Sequence, residues 1–210
     1  MKMRKIVALF IFTLFIAFAS QASAFTHFTQ NLFMTAESLD PGMTQTGIFF
    51  TLGDDYKNFY PEVRYGLGAL LDVGVKFGVT SADVNSENKL AALLGVNLKY
   101  QLIKETEGIP LDMAVAVGFD NLLISNTNSS ELSFATIFSK GFPLTDRGYK
   151  FTPYGGLEMA ALYGSAIPEN DTSVYFFGGI EWKLSKQFMV LLEYKGGNHE
   201  VGGIGVRFEY

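Results

Sequence analysis

The feature that most constrains this chain is an alternation of apolar and polar residues over segments of about ten residues. In the clearest segment, 89–102, the even positions are apolar and the odd positions are mostly polar or small: Leu90, Ala92, Leu94, Val96, Leu98, Tyr100 and Leu102 against Lys89, Gly95, Asn97, Lys99 and Gln101. An amphipathic helix, with about 3.6 residues per turn, would mix these two sets, whereas a β-strand directs alternate side chains to opposite faces. The pattern therefore predicts strands with one apolar face and one polar face.

Ten such segments follow one another along the chain, each bounded by turn-forming residues. They lie near residues 43–52, 59–67, 71–80, 89–102, 110–119, 131–140, 150–163, 173–184, 187–195 and 200–210. An even number of strands with short connections is typical of an antiparallel up-and-down β-barrel in a membrane. We therefore predict an all-β transmembrane barrel of ten strands. Eight or twelve strands remain alternatives, because residues 25–41 suit a periplasmic lead-in, a plug or a further strand.

The N-terminal residues have the pattern of a secretory signal peptide. Three basic residues lie within Met1–Lys5, residues 6–19 are apolar, and Ala22-Ser23-Ala24 is a small-x-small cleavage site. The apolar run is shorter than the roughly 20 residues that a membrane-spanning helix needs. The chain therefore divides into three expected parts: a signal peptide over 1–24, a periplasmic lead-in over 25–41 and an outer-membrane β-barrel over 42–210.

Composition excludes several classes of function. The 210-residue chain has a formal net charge of −5, and cleavage of the signal peptide makes it more negative, so we expect no nucleic-acid partner. It contains no cysteine, which excludes a disulfide scaffold, a thiol nucleophile and a thiolate zinc site. After the signal peptide no apolar run reaches about 18 residues. A membrane-embedded mature chain must therefore be a barrel, because only helices and closed barrels satisfy every backbone polar group in lipid.

The C-terminal residues favour the outer membrane over the periplasm. Gly205 lies five residues before the terminal aromatic residue Tyr210, and Phe208 lies two before it. This ending resembles the C-terminal insertion signal of bacterial outer-membrane barrels, which implies recognition by the barrel-assembly machinery. The mature chain, including Pro153-Tyr154-Gly155-Gly156, also resembles the broad group of small OmpA-like and opacity-like barrels. The resemblance implies a place in the outer membrane of a Gram-negative bacterium, in contact with its lipid, and identifies no subfamily.

Charged side chains gather on the polar face, which lines the interior of the predicted barrel. Seven acids and seven bases share that face: Glu62, Asp72, Asp112, Glu158, Glu181, Glu193 and Glu209 with Arg64, Lys76, Lys89, Lys99, Lys183, Lys195 and Arg207. Buried charges must be paired or hydrated. They therefore form either a salt-bridged interior that stabilises the barrel or the lining of a narrow polar pore. The balance of signs argues against strong ion selectivity.

The hairpin of the second and third segments predicts two ion pairs. Both segments keep their apolar residues on one face only if the loop between them has an odd length, and a three-residue loop sets Glu62 opposite Lys76. Opposed side chains on one face lie about 5 Å apart at Cβ, and diagonal neighbours are also within reach. We therefore expect a Glu62–Lys76 pair and an Arg64–Asp72 pair inside the wall.

Residues suited to catalysis are few. The only histidines are His27 and His199, neither at metal-ligand spacing, and the acidic pair Asp54-Asp55 has no basic neighbour in sequence that suits catalysis. We therefore predict no cofactor, no metal and no catalytic residue, and a non-enzymatic outer-membrane protein that is structural or weakly pore-forming. Two alternatives remain. One is an outer-membrane enzyme, a hydrolase or acyltransferase acting on lipid or peptide with His199 as its base, and the other is a soluble periplasmic barrel that binds an apolar ligand.

Overall fold

The computed structural model describes residues 32–53, 56–84, 87–106, 108–124, 127–144, 149–164, 171–197 and 199–210. The expected signal peptide, His27 and Asp54-Asp55 lie outside these ranges. Within them, no helix is long and apolar enough to cross a membrane.

Strands make up most of the described chain. They are β1 (Thr44–Gly53), β2 (Tyr56–Gly68), β3 (Leu71–Val84), β4 (Glu87–Ile103), β5 (Asp112–Ile124), β6 (Thr127–Ser139), β7 (Phe142–Pro143), β8 (Lys150–Gly164), β9 (Asp171–Lys183), β10 (Phe188–Gly196) and β11 (Val201–Glu209). β7 is a two-residue piece that pairs only with β8. Each long strand pairs antiparallel with the next, β6 pairs with β8, and β1 pairs with β11, which closes the ring. The predicted ten-stranded antiparallel barrel is therefore confirmed, and eight or twelve strands are wrong.

Side-chain exposure alternates along the strands as the period-two pattern predicts. In β4 the outward Leu94, Val96 and Leu98 are 51%, 44% and 44% exposed, whereas the inward Asn97 and Lys99 are 7% and 3% exposed. Because each of the ten long strands that the structure describes pairs on both sides, the ring has no open edge among them. The barrel therefore has an apolar outer surface and a largely polar, charged interior, the reverse of a soluble barrel.

Exposed aromatic side chains lie toward both ends of the outer surface. We call the end where β1 begins and β11 ends the terminal end, and the opposite end the distal end. Tyr100, Trp182 and Phe208 lie toward the terminal end, and Tyr163 and Tyr194 toward the distal end. Such a distribution suits the two interfaces of a bilayer, where aromatic rings are enriched.

Residues Leu32–Asp40, here called the plug segment, lie inside the barrel. Phe33, Met34 and Ala36 are buried there, and an exposed turn at Pro41-Gly42 leads into β1. The stretch expected as a periplasmic lead-in, 25–41, is described from residue 32 onward. From that point it runs inside the lumen from the terminal end to the distal half, where Phe33 joins a buried cluster with Tyr56 and Leu122, so the described part takes the plug alternative rather than adding a strand.

The seam between β1 and β11 generates a prediction about Tyr210. The amide of Thr44 donates to the carbonyl of Tyr210 and the amide of Tyr210 donates to the carbonyl of Thr44, both at 2.9 Å. Deletion of Tyr210 removes both bonds and should lower the free energy of unfolding by about 1–3 kcal/mol. Tyr210→Ala keeps both bonds and should change it by only about 0.5 kcal/mol. Urea unfolding in detergent micelles, followed by circular dichroism, measures both.

The same two variants test the C-terminal insertion signal, which depends on the aromatic side chain rather than on the backbone. In cells, both the deletion and Tyr210→Ala should reduce the amount of the heat-modifiable, folded band on a gel. If Tyr210→Ala inserts as well as the parent chain, the resemblance of this ending to an insertion signal has no functional meaning here.

Candidate functional site

Arg64 is at the centre of the charged network inside the barrel. β2 directs it inward, and its guanidinium lies 2.5 Å from Asp72, 2.7 Å from Glu62 and 2.6 Å from the amide oxygen of Asn97. All four side chains are buried. The predicted Arg64–Asp72 pair is confirmed, and the guanidinium holds two carboxylates at once, which its planar array of donors allows.

The second predicted pair, Glu62–Lys76, is wrong although the register behind it is correct. Glu62 does lie opposite Lys76 across the β2–β3 ladder. The ammonium of Lys76, however, lies 2.8 Å from Asp120, a residue of β5, two strands away. Gly95 of β4 stands between them, and a Cβ there would overlap with both side chains. The missing side chain therefore lets β3 and β5 form an ion pair over β4.

The β2–β3 turn departs from the expected three-residue loop. A bulge between Gly66 and Gly68 makes Gly68, rather than Leu67, the partner of Leu71. The bulge leaves Leu67 unpaired next to the turn, so the pairing of the residues farther from the turn is the expected one.

Arg207 and Lys99 extend the network to other strands. Arg207 of β11 lies 3.5 Å from Glu62 and 3.8 Å from Glu181 of β9. Lys99 of β4 lies 3.3 Å from Asp72. The structure thus joins charges from five strands, β2, β3, β4, β9 and β11, in one cluster that borders the plug segment.

A second cluster lies farther toward the distal end. Lys195 of β10 and Glu158 of β8 are fully buried and lie 2.6 Å apart. Glu131 of β6 is buried in the same half of the lumen. Glu131 and Asp120 are interior residues that were not among the expected lumen charges, and Asp120 lies one residue beyond the fifth predicted segment, 110–119. Asp120 continues a series of alternate residues on the inner face of this segment: Asp112, Ala114, Ala116 and Gly118. This continuation of the period-two pattern could have identified Asp120 as an interior residue.

Asp112 has a local role rather than a place in the ion-pair network. Its carboxylate accepts hydrogen bonds at 2.8 Å from the side-chain amide of Gln101 and from the backbone amide of Glu105. These bonds hold the β4–β5 connection at the terminal end. Asp112, one of the charges expected on the inner face, is therefore satisfied by hydrogen bonds.

The wall of the lumen binds the plug segment mainly through its main-chain atoms. Five main-chain amides donate to wall side chains: Leu32 and Phe33 to Glu193 at 2.7 Å each, Ala36 to Ser139 at 3.0 Å, Ser38 to Gln101 at 3.0 Å and Leu39 to Asp72 at 3.3 Å. Three main-chain carbonyls accept from wall side chains: Phe33 from Arg207 at 2.8 Å, and Thr35 and Glu37 from Lys99 at 2.9 and 2.6 Å. The same wall charges thus bind both one another and the plug.

One aromatic side chain of the plug is deeply buried. Phe33 stacks on Phe49 with ring centroids 4.7 Å apart, and Phe49 stacks on Tyr60 at 5.4 Å. A Cβ on Gly203 would overlap with the ring of Phe33, and one on Gly205 would overlap with the ring of Phe49. Gly205, singled out for the insertion signal, therefore also has a packing role inside the barrel.

Phe208 and Tyr210, the other residues of the C-terminal pattern, lie on the outside. Phe208 packs against Phe188 of β10 with ring centroids 5.0 Å apart, and Tyr210 is exposed.

The cavities show how fully the lumen is filled. A cavity of about 200 Å³ opens at the terminal end between the plug segment and the wall, with Lys99, Lys150, Glu181 and Arg207 in its lining. Deeper in, between Tyr60, Asp120 and their neighbours, a space of about 10 Å³ remains. That is room for about one water molecule. The residues that the structure describes therefore leave little open space at this level of the lumen.

His199 lies between β10 and β11 at the distal end, away from the plug. In the described ranges no group of three or more acidic or histidine side chains is placed to hold a metal ion.

No protein-family model and no curated protein matches the sequence. Several solved structures are similar in fold. They include the β domain of the Bordetella autotransporter BrkA (12% identity, 81% of this chain and 100% of that chain, TM-score 0.49), the N-terminal β-barrel domain of Pseudomonas aeruginosa OprF (12%, 82% and 100%, 0.42) and an outer membrane channel from Pseudomonas putida F1 (12%, 83% and 98%, 0.43). These neighbours are outer-membrane β-barrels, and the likeness concerns the fold alone.

The position of Arg64 generates a prediction about stability. Arg64→Ala leaves the buried carboxylates of Glu62 and Asp72 without their shared partner, and removal of one side of a buried ion pair costs about 3–5 kcal/mol. The matched control is Lys183→Ala, which breaks a pair with Glu209 that is partly exposed at the rim. That change should cost at most about 1 kcal/mol. Urea unfolding in micelles compares the two, and similar losses would show that the interior network is not structural.

Proposed function

We propose that this protein is a non-enzymatic integral barrel of the bacterial outer membrane, structural rather than conductive, with a lumen closed by its own N-terminal segment. The observation that carries the proposal is the reversed distribution of polarity. Large apolar side chains such as Phe59, Phe77 and Leu94 are about half exposed on the outer surface, whereas Arg64 and Lys195 are buried inside.

Lipid is the solvent that suits this surface. Apolar side chains of every long strand form the outside, far more contiguous apolar area than soluble proteins expose. The closed ring satisfies the backbone hydrogen bonds of the strands internally, which a bilayer requires. The same surface counts against the alternative of a soluble periplasmic barrel with an apolar ligand inside, because the described lumen is largely polar.

The filled lumen supports a structural role over a pore. Ion pairs such as Lys76–Asp120 and Lys195–Glu158 lie in the distal half, and the plug segment extends from the terminal end up to them. An ion crossing the barrel would have to displace both. These side chains are engaged in pairing and packing, which supports a non-enzymatic role.

Membrane insertion is tested by two substitutions on one face of β4. Leu94 lies near the middle of the strand and Leu90 near its distal end, both facing outward. Leu94→Arg should cost about 2–4 kcal/mol of folding free energy in lipid, and Leu90→Arg at most about 1 kcal/mol, because the cost of a charge falls toward the interface. Denaturant titration of barrels folded into phosphatidylcholine vesicles measures both. Equal costs at the two positions would show that the outer surface does not face a bilayer core.

Closure of the lumen is tested in a planar lipid bilayer. The parent protein, folded and purified from the outer membrane, should insert without producing stable single-channel currents. Arg64→Ala should lower stability and still give no open channel, because the plug segment and the distal ion pairs remain. Steady ohmic conductance from the parent protein would establish the weakly pore-forming alternative instead.

A further inference from the structure

We propose that the lumen wall is a binding site for linear peptides, which it recognises through their main chain, and that the plug segment is its exchangeable occupant. The inference deepens the proposed function, because it names the class of ligand that the closed lumen holds.

The wall contacts the plug through atoms that every peptide contains. Six wall side chains from five strands bind eight main-chain groups of the plug segment: Asp72, Lys99, Gln101, Ser139, Glu193 and Arg207. Main-chain amides and carbonyls are present in every peptide, so these bonds place little demand on its sequence. Extended peptides are bound in this way at open sheet edges, where the main chain gives affinity and pockets give specificity. Here side chains inside a closed barrel do the same.

Three side chains of the plug, Phe33, Met34 and Ala36, are almost completely buried in the lumen. Phe33 fills an aromatic pocket with Phe49, and Gly203 leaves room for its ring. Ala36 is fully buried in a cluster with Ala114, Ala116 and Ala135. The fitting ligand is therefore a linear peptide with an aromatic residue, an apolar residue directly after it and, three residues from the aromatic one toward the C-terminus, a small residue.

The plug and the wall satisfy each other's buried polar groups. Glu193 is buried, and its two carboxylate oxygens accept from the amides of Leu32 and Phe33. Without the plug, Glu193 keeps a hydrogen bond from the Tyr154 hydroxyl at 3.0 Å but loses both main-chain donors, which water or another peptide must then replace. Phe33 in turn has φ of 45°, a left-handed conformation that a free peptide with this residue seldom adopts.

The covalent link between plug and barrel lies outside the binding contacts. The plug joins β1 through the exposed turn at Pro41-Gly42, and none of the eight main-chain contacts involves these residues. Cleavage at this turn would therefore leave the contacts intact and turn the plug into a ligand held only by non-covalent bonds.

The experiment uses the full chain with a site-specific protease sequence inserted between Pro41 and Gly42. The barrel is folded in detergent micelles, cleaved and diluted, and a fluorescein-labelled synthetic peptide with the sequence of residues 32–40 is added. We expect the cleaved segment to exchange for the labelled peptide, with a rise in fluorescence anisotropy that excess unlabelled peptide reverses. No exchange over days would overturn the proposal, since the segment would then be a fixed part of the fold.

Two further peptides separate main-chain from side-chain recognition. One carries N-methyl groups on the amides of Phe33 and Ala36, keeps every side chain, and loses one of the two main-chain donors to Glu193 and the donor to Ser139. It should bind about a hundredfold more weakly, as expected from the loss of two buried hydrogen bonds. The other keeps Phe33 and Ala36 and changes Met34→Leu, Thr35→Ser, Glu37→Gln and Leu39→Met, and it should bind within about tenfold of the native peptide. The opposite ranking would refute main-chain recognition.

A wall variant and its control complete the test. Glu193→Gln should weaken the native peptide at least about tenfold, through loss of the charged acceptor. Lys183→Ala, a residue that makes none of the eight contacts, should leave binding unchanged. If cleaved barrels unfold as the segment leaves, the same peptides are compared by how well they preserve the folded, heat-modifiable band. Because these assays use micelles, failure of vesicle insertion would count against the proposed function without affecting this inference.

Discussion

The guanidinium of Arg64 between the carboxylates of Glu62 and Asp72 is the interaction on which the rest of the interior depends. Charges on the inner face of a barrel are removed from water, and a charge without a partner there destabilises the folded state strongly. Asp72 and Glu62 then bring in Lys99 and Arg207, so that one network extends across the lumen. A barrel filled in this way is held together across its diameter, and not only through the hydrogen bonds of its wall.

The same charges explain why a stretch of chain lies inside the barrel. After the carboxylates are paired, Lys99 and Arg207 still donate to main-chain carbonyls, and Glu193 still accepts from main-chain amides. A linear peptide offers both kinds of group along its length. The plug segment therefore completes the hydrogen bonding of the wall, and its own buried main chain is satisfied in return.

Glycines inside the wall decide which of these contacts can form. Gly95 lets Lys76 reach Asp120 over an intervening strand, and Gly203 with Gly205 makes room for the stacked rings of Phe33 and Phe49. Each acts by the absence of a side chain at a point where two others must meet. For that reason the inner surface of β11 is shaped by its glycines as much as by Arg207.

The sequence by itself determined the wall of this barrel. The facing of the strands follows from period-two alternation, because one slip would turn every apolar side chain from lipid to lumen, and an odd loop length then gives the pairing of Glu62 with Lys76, whereas the structure decided for ten strands over eight or twelve. The Arg64–Asp72 pair follows too, since its partners are neighbours in one hairpin. Only the tertiary structure decided that Lys76 pairs with Asp120 and that residues 32–40 fill the lumen. Those contacts join distant parts of the chain across a closed ring, and closure has no local pattern in sequence.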